Sequence, residues 1–520
     1  TLTTTNSAVD FGSTVDNAST TAENLTVSAG SGAVTFGGTV GGNATNGALG
    51  ALTVNGSGAT SFGTVNAASL ATNTGIATLN GNITTSGAQT YNGAVELAGG
   101  VTLTTTNHAV DFTSTVDNAS TTAENLTVSA GNGAVTFGGT VGGNATNGAL
   151  GALTVNGTGA TSFGTVNAAS LATNTGTSTL DGDVTTSGAQ TYNGAVKLGG
   201  DVTLASTGSG NIDLASTVNG AHALTVNTAG VTTFGGVVGG TTALTSLTTD
   251  APGSTTLGGA VTTTGAQTYN DTVTLSGNVT LTTTNGAVDF ASTVDNASTT
   301  AESLTVSAGS GAVTFGGAVG GNATNGALDA LTTSSGTFSA GALNIGTGGL
   351  SITTSAGNIA QGGAWLVAGT SKFDAGAHAI TLNNTGNDFT GAVSLTNSGS
   401  NAVYLDNGGN ALTLGTLSLG SGALTLTDYG ATPLLLTNDI TTDGGAVSFG
   451  GAVTLGSSSV TIDTTGGGAT VAGANISFGG DVSGTTAGGS SLTLMAGTAG
   501  TVSLDTVGGA FALNNLTVSG

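Results

Sequence analysis

The stretch "LTVSAGSGAVTFGGTVGGNATNGAL", Leu25–Leu49, returns at Leu126 and again at Leu304, each time with a single change. Inside it, apolar and polar residues alternate through "LTVS" and again through "VTF", with Gly and Ser between the two runs. Alternation of period 2 is the signature of a strand with one buried face. The theme recurs in Leu2–Val15 ("LTTTNSAVDFGSTV") and in Leu52–Val65 ("LTVNGSGATSFGTV"). Strand-sized runs between Gly-rich turns, with no helical periodicity, predict an all-β chain.

Longer repeats enclose the short theme. "TLTTTN" starts at Thr1, Thr102 and Thr280, and a degenerate copy, "TLASTG", starts at Thr203. "GAQTYN" follows the same spacing, with tyrosines at Tyr91, Tyr192 and Tyr269. The boundaries are solenoid units at 1–101 and 102–202, a shortened unit at 203–279, a partial unit at 280–335, and diverged coils at 336–520. Units of about 100 residues suit either tandem β-sandwich domains or a β-solenoid of coils with roughly 20–26 residues each. The 77-residue spacing between Thr203 and Thr280 favours the solenoid. It is one coil short, and a solenoid can drop a coil and restack because each coil touches only its neighbours. A sandwich losing a quarter of its strands would open its core.

Composition agrees. The 520 residues include 94 Gly, only 2 Pro and no Cys. Gly allows tight corners, Ser, Thr and Asn can stack in hydrogen-bonding ladders, and Pro is excluded from ladder interiors. Some 20–25 coils at about 4.8 Å each predict a rod on the order of 100–120 Å. Only 5% of residues are charged and 37% are hydrophobic, which separates the chain from disordered low-complexity sequences.

Charge excludes whole classes of function. Two Lys and no Arg stand against 26 acidic residues, a formal net charge of −24. Nucleic-acid binding needs cations to displace phosphate counterions, and docking on anionic lipid needs them too. The expectation is no nucleic-acid partner. No run reaches the roughly 18 apolar residues of a transmembrane helix, so no transmembrane segment is expected. The absence of Cys leaves the redox compartment open.

The wording "LTVSAGSGAVTFGGTVGG", "GALGALTVNG" and "AITLNNTGNDFTGAVSL" (Ala379–Leu395) resembles the giant repeat adhesins of Gram-negative bacteria, the filamentous-haemagglutinin-like exoproteins and related autotransporter passengers. The resemblance implies a right-handed parallel β-helix, export, and a place outside the cell or on its surface. It also implies a stalk or adhesin, with no catalytic motif to carry over. The secretion domain that opens members of that group is not visible in this chain. Thr1 begins in mid-strand wording and the closing "NNLTVSG" reads as the start of another coil. Two expectations follow: an excerpt of a longer adhesin, or a subunit whose open coils stack end to end into an extracellular, biofilm-matrix fibre. Self-association and cell-surface or matrix ligands are the expected partners.

Candidate sites are sparse. Asp10, Asp111 and Asp289 sit in "AVDF" between inward positions and should face solvent. The turn "VDNASTTAEN" brings Asp16 near Glu23, and its copy Asp117 near Glu124. A loop can wrap carboxylates and carbonyls around calcium, so these four are weak Ca²⁺ candidates, although the calcium-binding nonapeptide of β-rolls is missing. No other cofactor is expected. His108, His222 and His378 are too scattered to form a metal cluster. "AWLVAGTSKFDAGAHAITL" holds the only Trp, Trp365, with Lys372 and Asp374. An exposed Trp365 could stack on a sugar; the alternative is that it packs inside a wider coil with Phe373. Polysaccharide cleavage needs two carboxylates about 5–10 Å apart, and Asp374 has no evident partner, so no catalytic residue and no enzyme activity are expected. Threonine arrays on flat solenoid faces can engage ice, but the coils differ in length and the threonines wander along the sequence, which argues against such an array. The best reading is a non-catalytic structural or adhesive stalk, with the fibre subunit and a polysaccharide-binding or polysaccharide-degrading β-helix as alternatives.

Overall fold

A computed structural model describes residues 1–427 and 429–520. Among them every regular element is a strand, and the strands stack in parallel as a β-solenoid of about 24 turns. The chain divides into two compact units, Thr1–Thr256 and Leu257–Gly520.

One turn of the first unit shows how the alternating pattern is used. Val101–Thr105, Val110–Phe112 and Val116–Asn118 form three successive short strands. The chain then returns above its start, pairing Val101 with Leu126 and Leu103 with Val128. The next two strands follow: Val110 pairs with Val135 and Phe112 with Phe137, and Val141 bridges Val116. Each turn therefore contributes one strand to each of three ladders. Valine, leucine and phenylalanine point inward and are fully buried, while the polar residues between them face out. The turn is elastic in length: Leu126 pairs with Leu153, 27 residues on, and Leu153 with Leu171, only 18 on. Loops at the corners absorb the difference without disturbing the ladders.

Like side chains meet on the axis. Tyr91, Phe112, Phe137 and Phe163 stack nearly face on, with centroids 5.0, 4.9 and 5.3 Å apart. That spacing is the ladder repeat of about 4.8 Å, so backbone pairing and ring stacking reinforce one another. Phe11, Phe36 and Phe62 form a second stack. At one corner, Asn73 donates to Asn55 at 2.8 Å and Asn92 donates to Asn73; Asn156, Asn174 and Asn193 repeat the ladder one copy later. Gly142 shows why corners need glycine. Its φ is +64°, and a Cβ there would lie 2.1 Å from the Asn167 carbonyl oxygen.

The 101-residue repeat is not a whole number of turns. From Leu25 the same ladder climbs through Leu52, Leu70, Gln89 and Val110. The equivalent Leu126 comes two strands later, on a different ladder. From Leu126 the count repeats through Leu153, Leu171, Gln190 and Ile212 to the equivalent Leu224. Each copy thus occupies four and two-thirds turns. Asp10 and Asp111, equivalent in sequence, therefore lie on different ladders.

In the second unit one ladder runs through Val261–Thr263, Val279–Thr283, Leu304–Ser307, Leu328–Ser335 and Leu343–Thr354, then Ser371–Asp374, Val393–Asn397 and Leu414–Leu419. There it stops. The next strand on that side, Ile440–Thr441, pairs onward with Ser459–Asp463 in a separate sheet. A second ladder is also interrupted: Asp388–Phe389 pairs back to Trp365–Val367, and the side resumes with a single bridge from Thr413 to Leu435 before Leu434–Leu436 pairs onward. The third ladder alone continues through Val403–Asp406, Leu424–Thr427 and Val447–Phe449.

Candidate functional sites

The repeated loop "VDNASTTAEN" folds against the loop of the following turn. Asp117 Oδ1 accepts the Asn144 backbone N–H at 2.9 Å, as Asp16 does from Asn43. Asn118, fully buried, accepts the Glu124 N–H through Oδ1 and donates from Nδ2 to the Ala149 carbonyl at 3.0 Å. Asn147 returns a bond to the Asn118 carbonyl at 2.7 Å. The acids therefore serve as clips between successive loops. Glu124 enters this network through its backbone N–H. Among the described residues, no three His, Asp or Glu side chains converge as a metal site would require.

Trp365 lies inside the second unit with no exposed surface. Its indole N–H donates to the Gly341 carbonyl at 2.9 Å, and its ring packs on Phe373 and edge-on to Phe338. Neither ring face is left for a sugar. Lys372 and Lys197 face solvent, and Asp374 caps the backbone N–H of Gly376. His222 lies 3.6 Å from Asp201, whereas the His108 ring contacts the Thr106 carbonyl. The histidines remain apart.

The buried polar chemistry lies where sequence reasoning did not look. Gln190 is completely buried. Its Nε2 donates to the carbonyls of Val184 and Ala205, at 3.1 and 2.8 Å, and to Thr186 Oγ1 at 3.3 Å. Its Oε1 accepts the Tyr192 hydroxyl at 3.0 Å. Gln89–Tyr91 and Gln267–Tyr269 repeat the arrangement. Burial pushes all three tyrosine hydroxyls far above their ordinary range, and at Tyr269 the nearby Asp271 adds to the shift. These are satisfied structural networks, signalled in sequence by "GAQTYN". Asp463 is the converse case. Burial opposes its ionisation, but bonds from the Thr465 hydroxyl and the Thr465 and Gly467 N–H groups prevail and hold it below the usual carboxylate range.

Shallow concavities occur in both units. A groove of about 350 Å³ beside the first loop pair is lined by Ala22, Ala48, Ala67, Thr84 and Ser86. Its copy 101 residues on has about 290 Å³. Neither contains an ionisable side chain. A cleft of about 300 Å³ occupies the interrupted ladder, between Leu414, Leu417, Leu436 and Ile440.

Residues 325–396 match the model of a family described as repeats of unknown function (DUF5649). The matched segment begins in the last loop of the partial unit and runs through the Trp365 turn into "AITLNNTGNDFTGAVSL". It supports a repeat β-helix protein. Comparisons with curated proteins and with solved structures return no match.

Proposed function

We propose that the chain is a length of a non-catalytic structural or adhesive stalk, carried outside the cell or on the surface of a Gram-negative bacterium. The observation that supports this reading is the four-and-two-thirds-turn repeat. A repeat that multiplied a ligand site for a flat partner would return that site to one face. In the first unit each copy instead presents its loops at a new corner, while its ladders continue in register. What repetition adds is length.

The test is excision of residues 102–202. The cut joins Val101 to the sequence that ordinarily follows Val202, and both sides keep the unit phase. Particles imaged by electron microscopy should shorten by about 22 Å, four and two-thirds strand spacings, and retain their β-sheet spectrum. Unchanged length, or loss of folded structure, would refute the reading. External protease should remove the protein from intact producing cells; protection from it would refute the location. Filaments growing with concentration would favour the end-to-end fibre instead.

A further inference from the structure

The second unit carries a feature that the repeats of the first unit lack. Along the ladder from Val261–Thr263 to Leu343–Thr354, the outward residues line up in two columns. One column is Thr280, Thr305, Thr332 and Ser351; the other is Thr262, Thr282, Ser307, Ser334 and Thr353. Every position carries a hydroxyl. All nine side chains face solvent, and none of the nine hydroxyls has a hydrogen-bond partner among the described residues. Threonines that wander along the sequence are brought into line because corner loops absorb the differences in turn length.

Internal comparison sharpens the point. The equivalent columns in the first copy read Thr26, Thr53, Ala71 and Ser28, Asn55, Asn73. In the second copy they read Thr102, Thr127, Thr154, Ala172 and Thr84, Thr104, Ser129, Asn156, Asn174, so the hydroxyls run for three strands and are then broken. There the asparagines bond to one another along the axis. In the later copy Ala gives way to Ser351, and the two Asn to Ser334 and Thr353. All three changes replace an alanine or a self-satisfied amide by a free hydroxyl. The array ends where Lys372 and Asp374 pair above Ser351 and Thr353.

Along each column the spacing comes close to that of ordered water. Successive hydroxyls in a column are one strand apart, about 4.8 Å. In tetrahedral water, two oxygens bonded to a common third lie about 4.5 Å apart for a hydrogen bond of about 2.75 Å. The columns are two residues apart along each strand, about 6.7 Å. Threonine methyls between the hydroxyls exclude loosely held water. The face has no aromatic ring to stack on a sugar and, within the two columns, no charge to recruit an ionic partner.

We infer that this face, Thr262 to Thr353, binds the surface of ice. The inference is independent of the stalk reading. The test uses the whole chain, assayed for inhibition of ice recrystallisation and for thermal hysteresis. The double variant Thr305→Lys with Thr332→Lys should lose both activities while keeping the parent's circular dichroism and melting curve. Thr127→Lys, the same position in an interrupted array, should keep them. Failure of the parent chain to slow ice growth relative to an inert protein would overturn the inference, as would equal losses in both variants. Retention on powdered crystalline polysaccharide without any effect on ice would overturn it in favour of a neutral polymer. Dimerisation abolished by the double variant, again without an effect on ice, would assign the face to a second copy.

Discussion

Replacing Gln190 by Leu tests whether the buried Gln–Tyr pair holds its turn together. Leu fills nearly the same volume, so the cost comes from hydrogen bonds and not from a cavity. The Tyr192 hydroxyl loses its acceptor inside the solenoid, at about 1–3 kcal/mol for a buried unsatisfied group. The carbonyls of Val184 and Ala205 each lose a donor, at about 0.5–1.5 kcal/mol apiece. The sum is about 2–6 kcal/mol, felt locally because each turn contacts only its neighbours. Tyr192→Phe alone strands Gln190 Oε1 and costs about 1–3 kcal/mol. Placed on top of Gln190→Leu, the same change removes an already unsatisfied hydroxyl and should cost less, or recover stability. Hydrogen exchange by mass spectrometry is the assay, because a global melting curve averages over many turns. Peptides spanning 184–206 should exchange faster in Gln190→Leu, with the effect decaying over adjacent turns. Unchanged exchange, or strictly additive losses in the double variant, would refute the network's role.

Three further outcomes are expected. Millimolar calcium should leave the melting curve unchanged, since the carboxylates of Asp16 and Asp117 are already engaged by the N–H groups of Asn43 and Asn144; a rise reversed by a chelator would restore these loops as calcium sites. The last part of the second unit should loosen below about pH 4, because Asp463 and Asp481 are held below the usual carboxylate range. A depressed pKa contributes stability above the unfolded value, and that contribution disappears as pH falls through the folded one, so acid-dependent exchange in 459–484 is the readout and its absence counts against the bonds. Limited proteolysis should cut first between Leu414 and Ile440, where one ladder stops and a second is held by the single bridge from Thr413 to Leu435; a first cut within the uninterrupted turns at 101–137 would contradict the ranking.

The sequence by itself determined the fold class. Period-2 alternation decides which face of each strand is buried, and "VTF" and "VDF" place their Phe inward wherever they occur. Glycine marks the corners, and the 77-residue spacing points to coils that can be lost singly. All of these are local signals. The burial of Gln190 was not legible, because an amide flanked by Ala189 and Thr191 reads as a surface residue until the neighbouring turn supplies Ala205 and the strand fold supplies Tyr192. Trp365 was ambiguous for a related reason: part of its cover, Phe338, comes from the turn below, while Phe373 comes from the next strand of its own turn. Only the tertiary structure decided how copies are phased, since turns of 18 to 27 residues make the number of turns in 101 residues a property of strand pairing. That pairing also set Thr280, Thr305 and Thr332 in one column, at intervals of 25 and 27 residues. Neighbours along the axis are chosen by backbone hydrogen bonds between turns, and that choice is not written in any single turn.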